Sequence, residues 1–354
     1  MPGEPSWIRL PRHVVVGPNE LVSVVDVVEE LGRPDRAVIL TTPTPEKVAG
    51  EFVAERLQNE LEISVSTILI EEASGSAVEK AIRAADGANL LLGIGGGTAI
   101  DVAKLASDRL DVGFISIPTA ASHDGIVSGR ASIPDGDTRH SVAADPPLAV
   151  VADTEIIADA PWELTTAGCA DIISNYTAVR DWQLAQRLRT VSYSEYAAAL
   201  SEMTATMLVD DADRVRPGLA DSASAVLKAL VSSGVAMSIA GSSRPASGAE
   251  HLVSHQLDRL APGTALHGHQ VGVASIVTAY LQTGDDGDWL RIRNALASLD
   301  APTTAAELGV NEDTFIEALT TAHTIRDRYT ILGDGITETA AIEAATVTGV
   351  IDRP

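Results

Sequence analysis

Asn89-Leu90-Leu91-Leu92-Gly93-Ile94-Gly95-Gly96-Gly97-Thr98-Ala99-Ile100-Asp101-Val102-Ala103-Lys104 reads as a buried strand that runs straight into three glycines and then into a helix. Glycines at such a turn let the backbone come close to a phosphate, and the N–H groups of the first helical turn direct positive charge at it. A ligand-free glycine turn is the plain alternative, but the strand, loop and helix succession favours phosphate. The segment is neither a Gly-x-Gly-x-x-Gly fingerprint nor a phosphate loop ending in Gly-Lys-Ser/Thr. Around it, Arg36–Thr41, 63–70, Gly113–Pro118 and 147–153 read as strands. Helical patterns start at Thr44-Pro45-Glu46 and run to Leu61, and again span 76–85. This βαβ series with short connections predicts a right-handed, Rossmann-like parallel sheet.

After Asp159-Ala160-Pro161-Trp162, an aspartate cap with an early proline, long Ala-rich segments at helical period follow and no strand is evident. The expectation is an α/β cofactor domain over residues 1–160 and an all-α metal and substrate domain over 161–354, with the site in the cleft between them. Gly263 and the 284–287 region punctuate the helices, and there is no internal repeat or low-complexity linker.

The chain of 354 residues is 45% hydrophobic yet carries a net charge of -24, with only four lysines (Lys47, Lys80, Lys104 and Lys228). The acidic residues are spread along the chain, which is a surface property suited to high salt, where self-repulsion is screened. Such a surface disfavours nucleic acid and anionic membranes as partners. No uninterrupted apolar run approaches the roughly 18 residues of a membrane span, and Met1-Pro2-Gly3-Glu4-Pro5 does not resemble a leader. The single Cys169 cannot form an internal disulfide, in keeping with a reducing, cytoplasmic setting.

Two further regions carry chemistry. Ser116-Ile117-Pro118-Thr119-Ala120-Ala121-Ser122-His123-Asp124-Gly125-Ile126-Val127-Ser128 follows a parallel strand at the edge where open sheets bind ligands. Hydroxyls of Thr119, Ser122 and Ser128 are available to pyrophosphate and nicotinamide, and Asp124 to a substrate hydroxyl; a solvated loop is the alternative. Four of the eight histidines cluster in Glu250-His251-Leu252-Val253-Ser254-His255 and His267-Gly268-His269, the first pair at helical i, i+4 spacing. With Asp171 as the carboxylate they compose a Zn²⁺ site with an open position, whereas coincidence of spacing remains the alternative. Cys169 is read as a small buried residue, not as a ligand.

The glycine loop ending in Asp101 and Lys104, Pro118-Thr119-Ala120-Ala121-Ser122, and the series Asp171, His251, His267 resemble the iron-containing alcohol dehydrogenase and dehydroquinate synthase-like superfamily. Within it, Ser122-His123-Asp124-Gly125 with Ser128, and the 242–251 segment, resemble the archaeal branch that reduces dihydroxyacetone phosphate to sn-glycerol 1-phosphate, the start of ether-lipid backbones. The acidic surface then fits a haloarchaeal member. The resemblance implies NADP or NAD bound by Gly95, Gly96, Gly97, Thr98, Ala99, Thr119, Ala120, Ala121, Ser122 and Ser128. It implies Zn²⁺ held by Asp171, His251 and His267, and substrate contacts from Asp124, Asp171 and His255, with Asp124 and His255 in catalytic roles. Other branches place a histidine where Asn175 stands, so a three-residue zinc site is expected. Zinc then polarises the ketone oxygen while hydride arrives, and His255 or a water chain ending on it is the candidate proton donor.

Arg244, Ser242 and His269 are the candidate donors to the substrate phosphate. Thr41-Thr42, in place of an acidic residue at the end of the 36–41 strand, predicts that NADP is tolerated. Competing readings are glycerol dehydrogenase, a dehydroquinate synthase-like lyase, and a nucleotide-binding protein without catalysis. The lyase reading calls for lysines, and the second half offers only Lys228. A homo-oligomer is expected.

Overall fold

The computed structural model describes residues 7–135 and 138–353. Strands β1 (His13–Gly17), β2 (Arg36–Thr41), β3 (Ser64–Leu69), β4 (Leu90–Gly95), β5 (Gly113–Pro118) and β8 (Ala149–Asp153) form one sheet. Its order is β1-β8-β5-β4-β2-β3 and every pairing is parallel. The central strands bury both faces, so apolar residues alternate between two cores. Ala37 and Ile39 with Leu90, Leu92 and Ile94 join Val24 and Val28 of α1 (Val24–Glu30) and Val53 and Leu57 of α2 (Glu51–Leu61). Val38, Leu40 and Leu91 join Val78 and Ala81 of α3 (Gly75–Ala84) and Ile100 and Ala103 of α4 (Gly97–Leu110). From β2 the chain first adds β3 on one side, then returns to β4 on the other and continues to β5. That reversal is a topological switch point, and the glycine loop leaves β4 at its carboxyl edge.

The first half holds further elements beyond those expected from the sequence. Strand β1 pairs with β8 at the sheet edge; its half-exposed His-Val-Val-Val-Gly run lacks a flanking helix pattern to announce it. The antiparallel hairpin β6 (Arg130–Asp135) and β7 (Thr138–Ala143) projects beyond the 116–128 loop, and α1 fills the gap before β2. Two helix starts also move. The helical run toward α2 begins at Pro43 after Thr42, and passes through a π-wound turn (Glu46–Gly50) before α2 itself. Asp159 ends α5 (Thr154–Ala158), and Pro161 precedes α6 (Trp162–Arg189) with no side-chain cap.

Beyond Asp153 the described residues contain helices and no strand. Helix α6 is buried on nearly all sides and forms the axis of this half. Around it pack α7 (Glu195–Asp210), α8 (Ala220–Ala240), α9 (Ala249–Leu260) and α10 (His267–Thr283). Helix α8 is long and apolar enough to cross a membrane by length and composition. Lys228 and several serines interrupt it, and Val226, Leu227, Leu230 and Met237 are buried within the bundle.

Cys169 lies in the core with no exposed surface, and burial pushes its thiol up to about 12. Since the thiolate is the reactive form, the native protein should resist alkylation by iodoacetamide at about pH 8 and label fully once unfolded in denaturant. Rapid labelling of the native protein at a rate independent of denaturant would contradict this packing.

Candidate active site

A cleft of about 1020 Å³ separates the carboxyl edge of the sheet from α6, α9 and α10. On the sheet side, Gly96 stands before α4 in an extended conformation with no side chain capping the helix, and a Cβ there would meet nothing within 4 Å. The first turn of α4 therefore opens its N–H groups to the cleft, as a bound phosphate requires. Gly95 has a φ of 145°, where only glycine is comfortable. Thr119 donates its N–H to the Gly95 carbonyl at 3.1 Å, tying the second loop to the first. Gly96, Gly97, Thr98, Ala120, Ser122 and Ser128 line the cleft, and Gly95, Ala99, Thr119 and Ala121 do not. The buried Ser128 Oγ has no hydrogen-bond partner among the described residues, which suits a cofactor amide or hydroxyl.

Across the cleft, one ligand atom each from Asp171, His251 and His267 fall within 4.8 Å of one another. Asp171 sits in the third turn of α6, not at its start. His251 lies in the first turn of α9, and His267 opens α10. Glycines let the helices come this close. A Cβ on Gly268 would lie 2.0 Å from the Ala167 carbonyl oxygen, and one on Gly272, a turn later, 2.8 Å from the Ala170 Cβ. His251 presents Nε2 to Asp171 Oδ1 at 3.5 Å while Nδ1 pairs with the fully buried Glu250 at 3.1 Å. Ser254 donates to Gln270 Oε1 at 2.7 Å and so accepts from His267 Nδ1 at 2.9 Å, which leaves Nε2 of His267 as the lone-pair nitrogen. Two imidazoles oriented from behind and one carboxylate fit Zn²⁺ with an open position.

Burial opposes charge on His251, but the hydrogen bonds and charges of Asp171 and Glu250 prevail and raise it to about 9. Burial likewise works to raise Asp171, and His251, followed by His267 and His123, outweighs it and lowers the carboxyl. The pocket thus stabilises positive charge between these groups, and a divalent ion can take the place of that proton.

Asp124 joins the two halves. Its N–H donates to Asp171 Oδ2 at 3.0 Å, and its own Oδ2 accepts from Ser233 of α8 at 2.8 Å. Asn175 Nδ2 in turn donates to Ser233 Oγ at 3.1 Å, so Asn175 supports Asp124 at one remove. Burial, reinforced by the charge of Asp171, raises the Asp124 carboxyl to about 7. His255, one turn after His251, lines the cleft and stacks on His267 with ring centroids 5.7 Å apart. Lys104, fully buried, donates to Asp101 at 3.3 Å and to the carbonyls of Gly125 (2.6 Å) and Arg130, fixing this turn to α4.

The structure does not bring every expected residue to the cleft wall. Ser242, Arg244 and His269 are absent from it, and His269 Nε2 instead meets the Thr166 hydroxyl at 2.9 Å. In their place Arg130, Ser243, Ser247 and Arg326 face the cleft. Glu250 and Ser233 also escaped the sequence reading. The glutamate adjoins a ligand histidine, which is a usable signal; Ser233 has none, since its partner is 109 residues away.

A glycine-walled nucleotide loop facing a His/His/Asp cage across an interdomain cleft defines a metal-assisted, nucleotide-dependent enzyme of the alcohol dehydrogenase class. Residues 15–161 match the iron-containing alcohol dehydrogenase family. The glycerol-1-phosphate dehydrogenase [NAD(P)+] of Halorubrum lacusprofundi is 66% identical over 349 residues, covering 98% of each chain. That of Methanococcoides burtonii is 54% identical over 354 residues, covering 99% of this chain and 98% of its own. The crystal structure of a probable glycerol dehydrogenase from Sinorhizobium meliloti shares the fold, with a TM-score of 0.78 at 20% identity over 97% of this chain and 98% of that one. The chain belongs to the iron-containing alcohol dehydrogenase family, in the branch of the glycerol-1-phosphate dehydrogenases.

The contact at Gly268 is testable. Gly268→Ala drives a Cβ into a backbone carbonyl, so α10 must move off α6; a loss of about 1–3 kcal/mol is expected in denaturant melts. Unchanged stability would refute the close approach.

Proposed function

We propose that the chain reduces dihydroxyacetone phosphate to sn-glycerol 1-phosphate with NADPH or NADH, supplying the glycerophosphate of archaeal lipids. The observation that carries this reading is the cage of Asp171, His251 and His267 within 4.8 Å, facing the glycine loop across one cleft. Residues 1–160 then form the cofactor half and 161–354 the metal and substrate half. A divalent ion held in the cage supplies a Lewis acid beside the ketone, and the nicotinamide supplies the hydride.

The chain's own residues do the rest. The Gly96–Thr98 turn and Ser122 hold the dinucleotide phosphates, and Ser128 Oγ meets the nicotinamide end. Asp124, held by Ser233 and Asn175, receives a substrate hydroxyl and fixes the ketone face. His255 gives the product oxygen its proton, which balances the ketone, the hydride and one proton against the alcohol and oxidised cofactor. No acidic residue follows β2 at Thr41-Thr42, where a carboxylate would exclude a 2′-phosphate, so NADPH is accepted. The acidic surface, whose exposed lysines are Lys47, Lys80 and Lys228, accords with a cytoplasmic homo-oligomer working in high salt with no nucleic acid or membrane partner.

Oxidation of NADPH and NADH in concentrated KCl, with dihydroxyacetone phosphate and dihydroxyacetone compared, tests the reading. Turnover of the phosphorylated ketone with both cofactors is expected, and exclusive use of the unphosphorylated ketone would overturn it. Strict dependence on NADH would overturn the cofactor assignment alone. Asp171→Ala should release zinc on dialysis and lose at least about 100-fold in kcat/KM. Retained zinc with normal turnover would remove Asp171 from the cage.

A further inference from the structure

Four arginines gather at the end of the cleft beside the first turn of α9. Arg326 Nη2 donates to Ser247 Oγ at 2.6 Å. Arg328 Nη2 donates to Ser243 Oγ at 2.8 Å, and its Nη1 to the Ser247 carbonyl. Arg130 and Arg244 complete the group, each close enough to Arg326 and Arg328 to repel them. None of the four forms an ion pair among the described residues, whereas Arg9, Arg56, Arg109, Arg180, Arg214, Arg291 and Arg353 do. The carboxylate acting on Arg326 and Arg328 is Glu250, which already accepts from the Gly248 N–H, from Thr177 at 2.9 Å and from His251. Arg326 Nε is buried without a hydrogen-bond partner among the described residues. Burial and the charges of Arg130 and Arg244 pull Arg326 down to about 10.

Asp181 and Asp327 act on Arg244, which leaves Arg130, Arg326 and Arg328 around Glu250; such a group at a cleft wall, with a donor left over, calls for an anion. Arg130, Arg326, Ser243 and Ser247 line the same cleft as His251 and His255. The glycine loop provides a separate phosphate seat at the start of α4, so the cofactor's pyrophosphate does not account for the cluster. We propose that Arg326 and Arg130, with the Ser243 and Ser247 hydroxyls, bind the phosphate of the substrate, and that Arg328 is a positioning residue that holds both serines. The inference rests on the reading of the chain as a reductase of a phosphorylated ketone. A planar fork suits a phosphomonoester dianion. A substrate lacking it leaves the cluster uncompensated, which makes this seat the source of discrimination against the unphosphorylated ketone.

The test compares Arg326→Gln and Arg326→Lys with the unaltered enzyme at constant KCl. The kcat/KM ratio of dihydroxyacetone phosphate to dihydroxyacetone should fall by about 100-fold in R326Q, mostly through KM, with partial recovery in R326K. Competitive inhibition by inorganic phosphate should weaken in parallel. An equal loss on both ketones, or an unchanged ratio, overturns the proposal while leaving the proposed function standing. If R326Q does not fold, R130Q is read by the same ratio. If the unaltered enzyme turns over neither ketone, the proposed function fails by itself. Inorganic phosphate then decides the seat: it should raise the melting temperature of the unaltered protein and not that of the variant, and no shift, or an equal shift in both, overturns the proposal.

Discussion

A carboxylate with 3% of its surface exposed cannot remain ionised in a protein interior unless its surroundings are organised around it. Asp171 meets that condition with groups from both halves of the molecule: the Asp124 N–H from the sheet side, and His251 and His267 from two helices. The arrangement requires α6 and α10 to lie nearly in backbone contact, which Gly268 and Gly272 permit. It also requires the turn after β5 to close onto α6, where a Cβ on Gly168 would collide with the Ala121 carbonyl. Packing of small residues and electrostatics at the centre are thus a single constraint. The sheet places the glycine loop, the bundle places the Asp171, His251 and His267 group, and the Asp124 N–H bond to Asp171 joins the two.

How much of this was legible in the sequence follows from how far each signal reaches along the chain. The strand, glycine loop and helix at 89–104 are contiguous, and so is the i, i+4 pair His251 and His255, so local periodicity exposes them. Asp171 and His267 gain meaning only through the family pattern, yet the structure brings both to His251. The arginine group is another matter. Arg326 meets Ser247 across 79 residues, and Arg328 meets Ser243 across 85, with no motif to join them. Arg244 adjoins Ser243 in sequence and is not among the residues that line the cleft. Strand β1 was missed because it lies at an edge where Val14 remains exposed and no alternation of burial is imposed.

The charge distribution divides the molecule sharply. Carboxylates dominate the exterior, where salt within a Debye length screens their mutual repulsion. Inside the cleft, screening is weak, and Arg130 and Arg326 line its wall with Arg244 and Arg328 near them. That placement explains how an anionic substrate can be held by a strongly anionic protein, since local field and net charge need not share a sign.

Lys104 shows the same division at a single residue. Its ammonium is spent entirely inside, on Asp101 and on the Gly125 and Arg130 carbonyls, which welds the cofactor helix to the turn that carries Asp124 and to the root of the β6–β7 hairpin. One ammonium serves acceptors from three segments, so the placement of α4, the Asp124 turn and the hairpin root is set together and not piece by piece.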